Sequence, residues 1–153
     1  MALYQEIERK FLLKSLPPDL DGQPHHVIEQ GYLAATPDGR QVRLRRTDSK
    51  HTLTFKTADG ALREEREIHI TPEQFAVLWP ATSGKRLTKT RYVLPWNNLG
   101  IEVDVYGGIN RGIVVAEVEF RNEQQCTAFE PPDWFGEEVT RDPRYSNVVL
   151  ARE

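Results

Sequence analysis

Along most of the chain, apolar and charged residues exchange places at every second position. Glu6, Glu8 and Lys10 share one parity; Ile7 and Phe11 share the other, with Arg9 between them. Val42 and Leu44 alternate with Arg43 and Arg45, and Leu53 and Phe55 with Thr52, Thr54 and Lys56. Ile68 and Ile70 alternate with Glu65, Glu67 and His69, and Thr90, Tyr92 and Leu94 with Lys89 and Arg91. Ile101, Val103 and Val105 alternate with Glu102 and Asp104; Val114, Ala116, Val118 and Phe120 alternate with Val115, Glu117 and Glu119. A period of two predicts strands. Pro37-Asp38-Gly39, Asp48-Ser49-Lys50, Asp59-Gly60, Asn97-Asn98-Leu99-Gly100 and Gly107-Gly108 supply turn chemistry between them, and short loops of this kind join antiparallel neighbours.

Two segments change period. Thr71-Pro72-Glu73-Gln74 offers a cap residue, a proline at the first helical position and a glutamine three after the cap. Phe75, Leu78 and Trp79 then form an apolar stripe at helical spacing, stopped by Pro80. Asn122-Glu123-Gln124-Gln125 opens a second helix that turns Cys126 and Phe129 inward and ends before Pro131-Pro132. The stretch 15–24, with Pro17-Pro18 and Gly22, reads as a loop or one short helical turn. The expected architecture is α+β but mainly β, with roughly eight antiparallel strands and flanking helices in a single domain over residues 1–153.

Composition narrows the class. Acids number 23 and bases 20, a net charge of -3 that argues against a purely electrostatic nucleic-acid binder. A single cysteine, Cys126, excludes an internal disulfide. The polar start is no signal peptide, and no apolar run approaches the roughly 18–20 residues of a membrane helix, so a cytoplasmic protein without a membrane is expected.

The charged parity carries the chemistry. One such strand is commonly half of a one-sided sheet with its charges in solvent. Here, however, like charges recur in i,i+2 pairs: Glu6/Glu8, Glu65/Glu67, Glu102/Asp104 and Glu117/Glu119 against Arg43/Arg45 and Lys89/Arg91, with Lys10 and Lys56 adding to the cations. Residues two apart on a strand lie about 6.5–7 Å apart on one face. Like charges at that spacing repel, increasingly so as the site dries, so the acids call for a cation and the bases for an anion. Carboxylates suit Mg²⁺ or Mn²⁺, and a triphosphate with metal attached satisfies both sets. If the strands close into a barrel, both sets point into one lumen and the apolar parity faces outward under the two helices, the inverse of the usual small barrel.

The segments Glu6-Ile7-Glu8-Arg9-Lys10-Phe11-Leu12, Gly31-Tyr32-Leu33, Val42-Arg43-Leu44-Arg45, Thr54-Phe55-Lys56, Lys89-Thr90-Arg91-Tyr92, Glu102-Val103-Asp104, Glu117-Val118-Glu119-Phe120, Glu138-Val139-Thr140 and Arg144-Tyr145-Ser146-Asn147 follow in order. Together this series resembles the CYTH proteins, or triphosphate tunnel metalloenzymes, over nearly the whole chain. The resemblance implies an eight-stranded antiparallel closed tunnel. It implies metal-dependent hydrolysis of a small-molecule triphosphate, most closely inorganic tripolyphosphate. Thiamine triphosphatase, adenylate cyclase and a non-catalytic polyphosphate-binding module are the alternatives, and a homodimer is a further expectation. By match, Glu6, Glu8 and Glu119 are the first metal ligands, with Glu117 and Asp104 nearby. Lys10, Arg43, Arg45, Lys56 and Arg91 hold phosphate, and Lys89 and Tyr32 match a lysine–tyrosine pair.

Two routes to an attacking water follow: a second metal near Asp104 or Glu117, or Lys89 acting as base through Tyr32. The other candidates read as structure. His25, His26, His51 and His69 lack metal-ligand spacing. Ser83-Gly84-Lys85 lacks the leading glycines of a phosphate loop. Cys126 reads as a packed helix residue, and Trp79, Trp96 and Trp134 as cover for the outer face.

Overall fold

The structure, a computed structural model, describes the backbone of residues 2–57 and 63–153 and the side chains of residues 7–57 and 63–153. The alternating segments form β1 (Ala2–Glu6), β2 (Glu8–Leu13), β3 (His25–Ala35), β4 (Gln41–Thr47), β5 (Lys50–Lys56), β6 (Arg63–His69), β7 (Arg86–Trp96), β8 (Leu99–Tyr106), β9 (Val114–Glu119) and β10 (Phe135–Glu138). These make one antiparallel sheet in the order β1-β6-β5-β4-β3-β7-β8-β9-β2-β10. Ten strands replace the expected eight for two reasons. Ile7 interrupts the first strand, giving β1 and β2, and the short β10 adds to the edge of β2. The two halves of that N-terminal strand pair differently: β1 with β6, and β2 with β9. A chain segment joined only through Ile7 therefore supplies one end of the ladder, β1, and the last strand but one at the other, β2.

Local chemistry explains the connections. Asn97 and Asn98 both take positive φ, 46° and 65°, in a two-residue turn that brings Trp96 opposite Leu99. In β3 the pairing with β4 shifts between Tyr32 and Ala34, a bulge beside the site described below. Helix α1 (Pro72–Leu78) has the expected capping box: Gln74 N donates to Thr71 Oγ1 at 3.0 Å and Thr71 N to Gln74 Oε1 at 2.9 Å. Pro80 does stop it, and Trp79–Thr82 continues as a 3-10 turn. In α2 (Glu123–Ala128) the Asn122 side chain accepts from Gln125 N at 2.7 Å. A third short helix, α3 (Asn147–Leu150), went unread in the sequence. No helix among the described residues is long and apolar enough to cross a membrane.

Because side chains alternate, the sheet has two faces and the chain has two cores. The outer core joins Phe11, Ile101, Val103, Ala116, Val118 and Phe120 to Phe129 and Phe135, with Cys126, Trp96 and Trp134 packed against it. The region around α2 covers this face. The inner core joins Tyr32, Leu87, Tyr106 and Val115 to Leu150, the last residue of α3, and Ala151. The C-terminal end is stitched in place by paired backbone hydrogen bonds between Arg86 and Glu153 and by Asn110 Nδ2 donating to Leu150 O. This inner core is an apolar floor. The charged rows begin directly above it, because Lys89, Asp104 and Glu117 each follow or precede a floor residue by two positions.

Candidate active site

Strand register fixes which charges meet. Glu8 lies opposite Glu119 and Lys10 opposite Glu117 across β2 and β9. Glu102 lies opposite Glu117 across β8 and β9, and Arg91 opposite Asp104 across β7 and β8. On the other side of the sheet Tyr32 faces Arg43 and Gln30 faces Arg45 across β3 and β4, and Lys56 faces Glu65 across β5 and β6. Two of these pairs, Glu8–Glu119 and Glu102–Glu117, set carboxylate directly against carboxylate, which is unfavourable in a sheet without a counter-ion.

The rows converge on one cavity of about 460 Å³. Of the residues expected from sequence, Glu8, Lys10, Tyr32, Arg43, Arg45, Lys56, Arg91, Glu117 and Glu119 line it. Glu6 belongs to β1 with Arg63 as its backbone partner, but its side chain lies outside the described residues. Lys89 and Asp104 are not on the wall. Their side chains are 0% and 2% exposed and they sit beneath it. The wall also includes Glu102, Glu65 and Arg63, together with Arg141 and Asp142 at the mouth.

Asp104, expected near the metal, sits at the centre of an ion-pair cluster. Its Oδ2 accepts from Lys89 Nζ at 2.8 Å and from Arg91 Nη2 at 2.9 Å, and its Oδ1 accepts from Arg91 Nε at 2.8 Å. Burial acts to raise its pKa, but Lys89 and Arg91 outweigh this and hold the carboxylate well below its ordinary range. Lys89 and Tyr32, expected as a pair, each have another hydrogen-bond partner. Lys89 Nζ bonds Asp104 and lies 5.5 Å from the Tyr106 ring centroid, while the Tyr32 hydroxyl accepts from Gln30 Nε2 at 3.2 Å. Burial lowers the Lys89 pKa to about 7, with Asp104 opposing and Arg91 and Arg45 assisting.

Higher on the wall, Lys10 Nζ donates to Tyr145 O at 3.0 Å and lies 3.3 Å from Glu117 Oε1. Burial works against the Lys10 ammonium, but Glu117 and Glu8 outweigh it and raise its pKa. Burial also works against the Glu117 carboxylate, and Lys10 and Arg91 bring it down to about 2. Both groups are thus ionised. Across the cavity, Arg43 Nη2 lies 3.5 Å from Glu65 Oε1, and its buried Nε has no hydrogen-bond partner among the described residues. A buried donor without a partner is costly.

The wall thus divides into carboxylates on β2, β8 and β9 and mainly guanidinium or ammonium groups on β4, β5 and β6, with Glu65 among the latter and Lys10 and Arg91 between. Among the described residues no three carboxylate, histidine or cysteine side chains are grouped tightly enough to hold an ion by themselves. Glu8 opposite Glu119 is a pair of hard oxygen donors, which suits a cation that completes its shell with water or phosphate.

Three comparisons agree with this geometry. The sequence model of the CYTH domain family matches residues 4–148. An inorganic triphosphatase of Nitrosomonas europaea is 47% identical over 149 residues, covering 95% of this chain and 96% of that protein. An inorganic triphosphatase of Acetivibrio thermocellus is 36% identical over 155 residues, covering 97% and 94%. A crystal structure of an inorganic triphosphatase superposes with a TM-score of 0.72 at 40% identity, covering 97% of this chain and 95% of that one.

Proposed function

Because the chain belongs to the CYTH domain family, we propose that it is an inorganic triphosphatase, hydrolysing tripolyphosphate in the charged cavity with Mg²⁺ or Mn²⁺ bound. The observation that carries this reading is the division of one 460 Å³ cavity into a carboxylate wall and a cationic wall. A triphosphate with a divalent cation is complementary to both. The N-terminal strand, shared through Ile7 between β6 and β9, supports a sheet closed into a tunnel around that ligand. Tyr32 is the one aromatic side chain on the wall among the described residues and is 2% exposed. A wall so poor in apolar surface favours an inorganic substrate over a nucleotide, whose base needs a stacking surface.

Glu6, Glu8 and Glu119 would hold the metal, with Glu117 near it. When bound, such an ion supplies charge to the phosphate oxygens and acidifies an attacking water. The remaining work belongs to the chain's own side chains. Arg43, Arg45 and Lys56 receive the phosphate oxygens from one wall, and Lys10 and Arg91 from between the carboxylates. Phosphoryl transfer needs chiefly positioning and charge stabilisation, which a rigid sheet lined with cations provides. Asp104 and Lys89 support Arg91 from beneath. A second copy of the chain as partner remains part of the reading. Val27, Phe55 and Ile68, 57%, 37% and 41% exposed on the sheet, offer apolar surface, and light scattering would measure the assembly.

A phosphate-release screen over tripolyphosphate, thiamine triphosphate, ATP and pyrophosphate, with Mg²⁺, Mn²⁺ or chelator, tests the proposal. Metal-dependent release with tripolyphosphate preferred is expected. No release from tripolyphosphate, or cyclic AMP formed from ATP, would overturn it.

A further inference from the structure

Gln30 carries no charge, is 0% exposed, and stands in the middle of β3 between Arg45 of β4 and Leu87 of β7. Its Oε1 accepts two hydrogen bonds from Arg45, from Nε at 2.9 Å and from Nη2 at 2.8 Å. Its Nε2 donates to the Tyr32 hydroxyl at 3.2 Å. The orientation of the amide is dictated by chemistry. A guanidinium has donors only, so the oxygen must face Arg45 and the amino group must face Tyr32. Both neighbours reach the cavity wall while Gln30 does not.

We propose that Gln30 is a positioning residue for the triphosphatase reaction: its amide aims the Arg45 guanidinium into the cavity without neutralising it, leaving that positive charge for the phosphate oxygens of the substrate. The inference rests on the triphosphatase reading above.

The neighbouring cations are held differently. Arg91 is gripped by Asp104 at 2.8 Å and reaches Glu102 at 3.2 Å. Arg43 lies 3.5 Å from Glu65, and Lys10 lies 3.3 Å from Glu117. Each of these charges is matched within the protein. Arg45 has no carboxylate at ion-pairing distance among the described residues, only the neutral amide. Burial, Arg43 and Arg91 all act to lower its pKa, to about 9, which is the response of a cation in a region short of negative charge. The two hydrogen bonds to Gln30 and the more distant Asp104 offset this only in part, since a desolvated cation is costly unless paired. A bound polyanion offsets the rest. A glutamate at position 30 would have the same reach and form the forked carboxylate pair that guanidinium prefers. The amide therefore keeps the geometry of that pair and omits its charge.

Gln30→Glu separates orientation from neutralisation. The account expects KM for tripolyphosphate to rise roughly tenfold or more, the worth of one charge-assisted contact withdrawn from the ligand. It expects the urea midpoint of the ligand-free variant to hold or rise, because Arg45 gains a partner. A purely structural Gln30 predicts otherwise, since the glutamate keeps both hydrogen bonds from Arg45. KM within about twofold of wild type, or a KM rise accompanied by a fall in midpoint, would overturn the proposal. Should Gln30→Glu fail to fold, Gln30→Asn is compared in the wild-type and Arg45→Gln backgrounds. The KM increase is expected in the first and largely lost in the second; an equal increase in both overturns the role. A wild-type enzyme that neither binds nor hydrolyses tripolyphosphate would instead count against the triphosphatase reading itself.

Discussion

Asp104→Asn leaves the buried Lys89 and Arg91 side chains with a neutral amide in place of their shared carboxylate. In the native protein the Asp104 carboxylate takes hydrogen bonds of 2.8 to 2.9 Å from Lys89 and Arg91, whose side chains are 0% and 13% exposed. Removing the shared partner of a buried ion cluster costs about 3–5 kcal/mol. For a chain of 153 residues, each kcal/mol corresponds to about 2–4 °C, so the midpoint should fall by about 6–20 °C. Urea unfolding gives the same quantity without heating and identifies its origin through a cycle. The double variant Asp104→Asn with Lys89→Met removes one of the two buried basic groups left without their carboxylate. It should therefore be more stable than Asp104→Asn alone by at least about 1 kcal/mol. The pH dependence has a defined sign. A carboxylate with a depressed folded pKa contributes its stability above the unfolded value of about 3.9 and loses it as pH falls through the lower folded value. The gap between wild type and Asp104→Asn should then persist from about pH 5 to 7 and close only in acid. Asp104→Asn within about 1 kcal/mol of wild type at pH 7, or no rescue by the second substitution, would refute a tightly paired buried cluster.

Lys89 has its folded pKa lowered to about 7, so above that pH the unfolded chain holds the extra proton; wild type should gain urea stability relative to Lys89→Met from about pH 7 to 10, and a flat difference would contradict it. Glu8→Gln and Glu119→Gln should each abolish metal-dependent phosphate release while circular dichroism stays native, since the two carboxylates face each other across β2 and β9; retained turnover in both would remove them from the metal site. Gly31→Ala places a Cβ 2.6 Å from Thr82 Cβ and Oγ1, where Thr82 is fully buried and hydrogen-bonded to Trp79 O. Overpacking of that kind costs about 1–3 kcal/mol, seen as a lower urea midpoint, and an unchanged midpoint would show that β3 and the Trp79–Thr82 turn can separate freely.

Alternation made the faces of the strands legible but not the height of each residue above the apolar floor. Glu102 and Asp104 are indistinguishable in sequence, two positions apart on one face. The pairing of β8 with β7 and β9 places Glu102 on the wall and Asp104 beneath it, and register of that kind is set by long-range contacts. Lys89 and Arg91 divide in the same way. In the run Arg63-Glu64-Glu65-Arg66-Glu67 every residue is charged, so charge does not mark the inward parity; β6 turns Arg63 and Glu65 to the cavity. Gln30 has no signature of its own in the sequence, because a neutral amide beside Glu29 carries no charge signal; only its place two residues before Tyr32 marks it as inward. Arg141 and Asp142 come from a non-periodic C-terminal stretch, and β10 is too short to alternate visibly. The helix caps at Thr71 and Asn122 were readable because they are local, each fixed within three residues.

The most direct test is a crystal structure of the protein with tripolyphosphate and Mn²⁺, read from the anomalous signal of the metal. The account predicts one Mn²⁺ between Glu8 and Glu119 and the phosphate chain along Arg43, Arg45 and Lys56 inside the cavity. A cavity left empty at saturating ligand, or a phosphate chain bound on the outer face of the sheet, would contradict it.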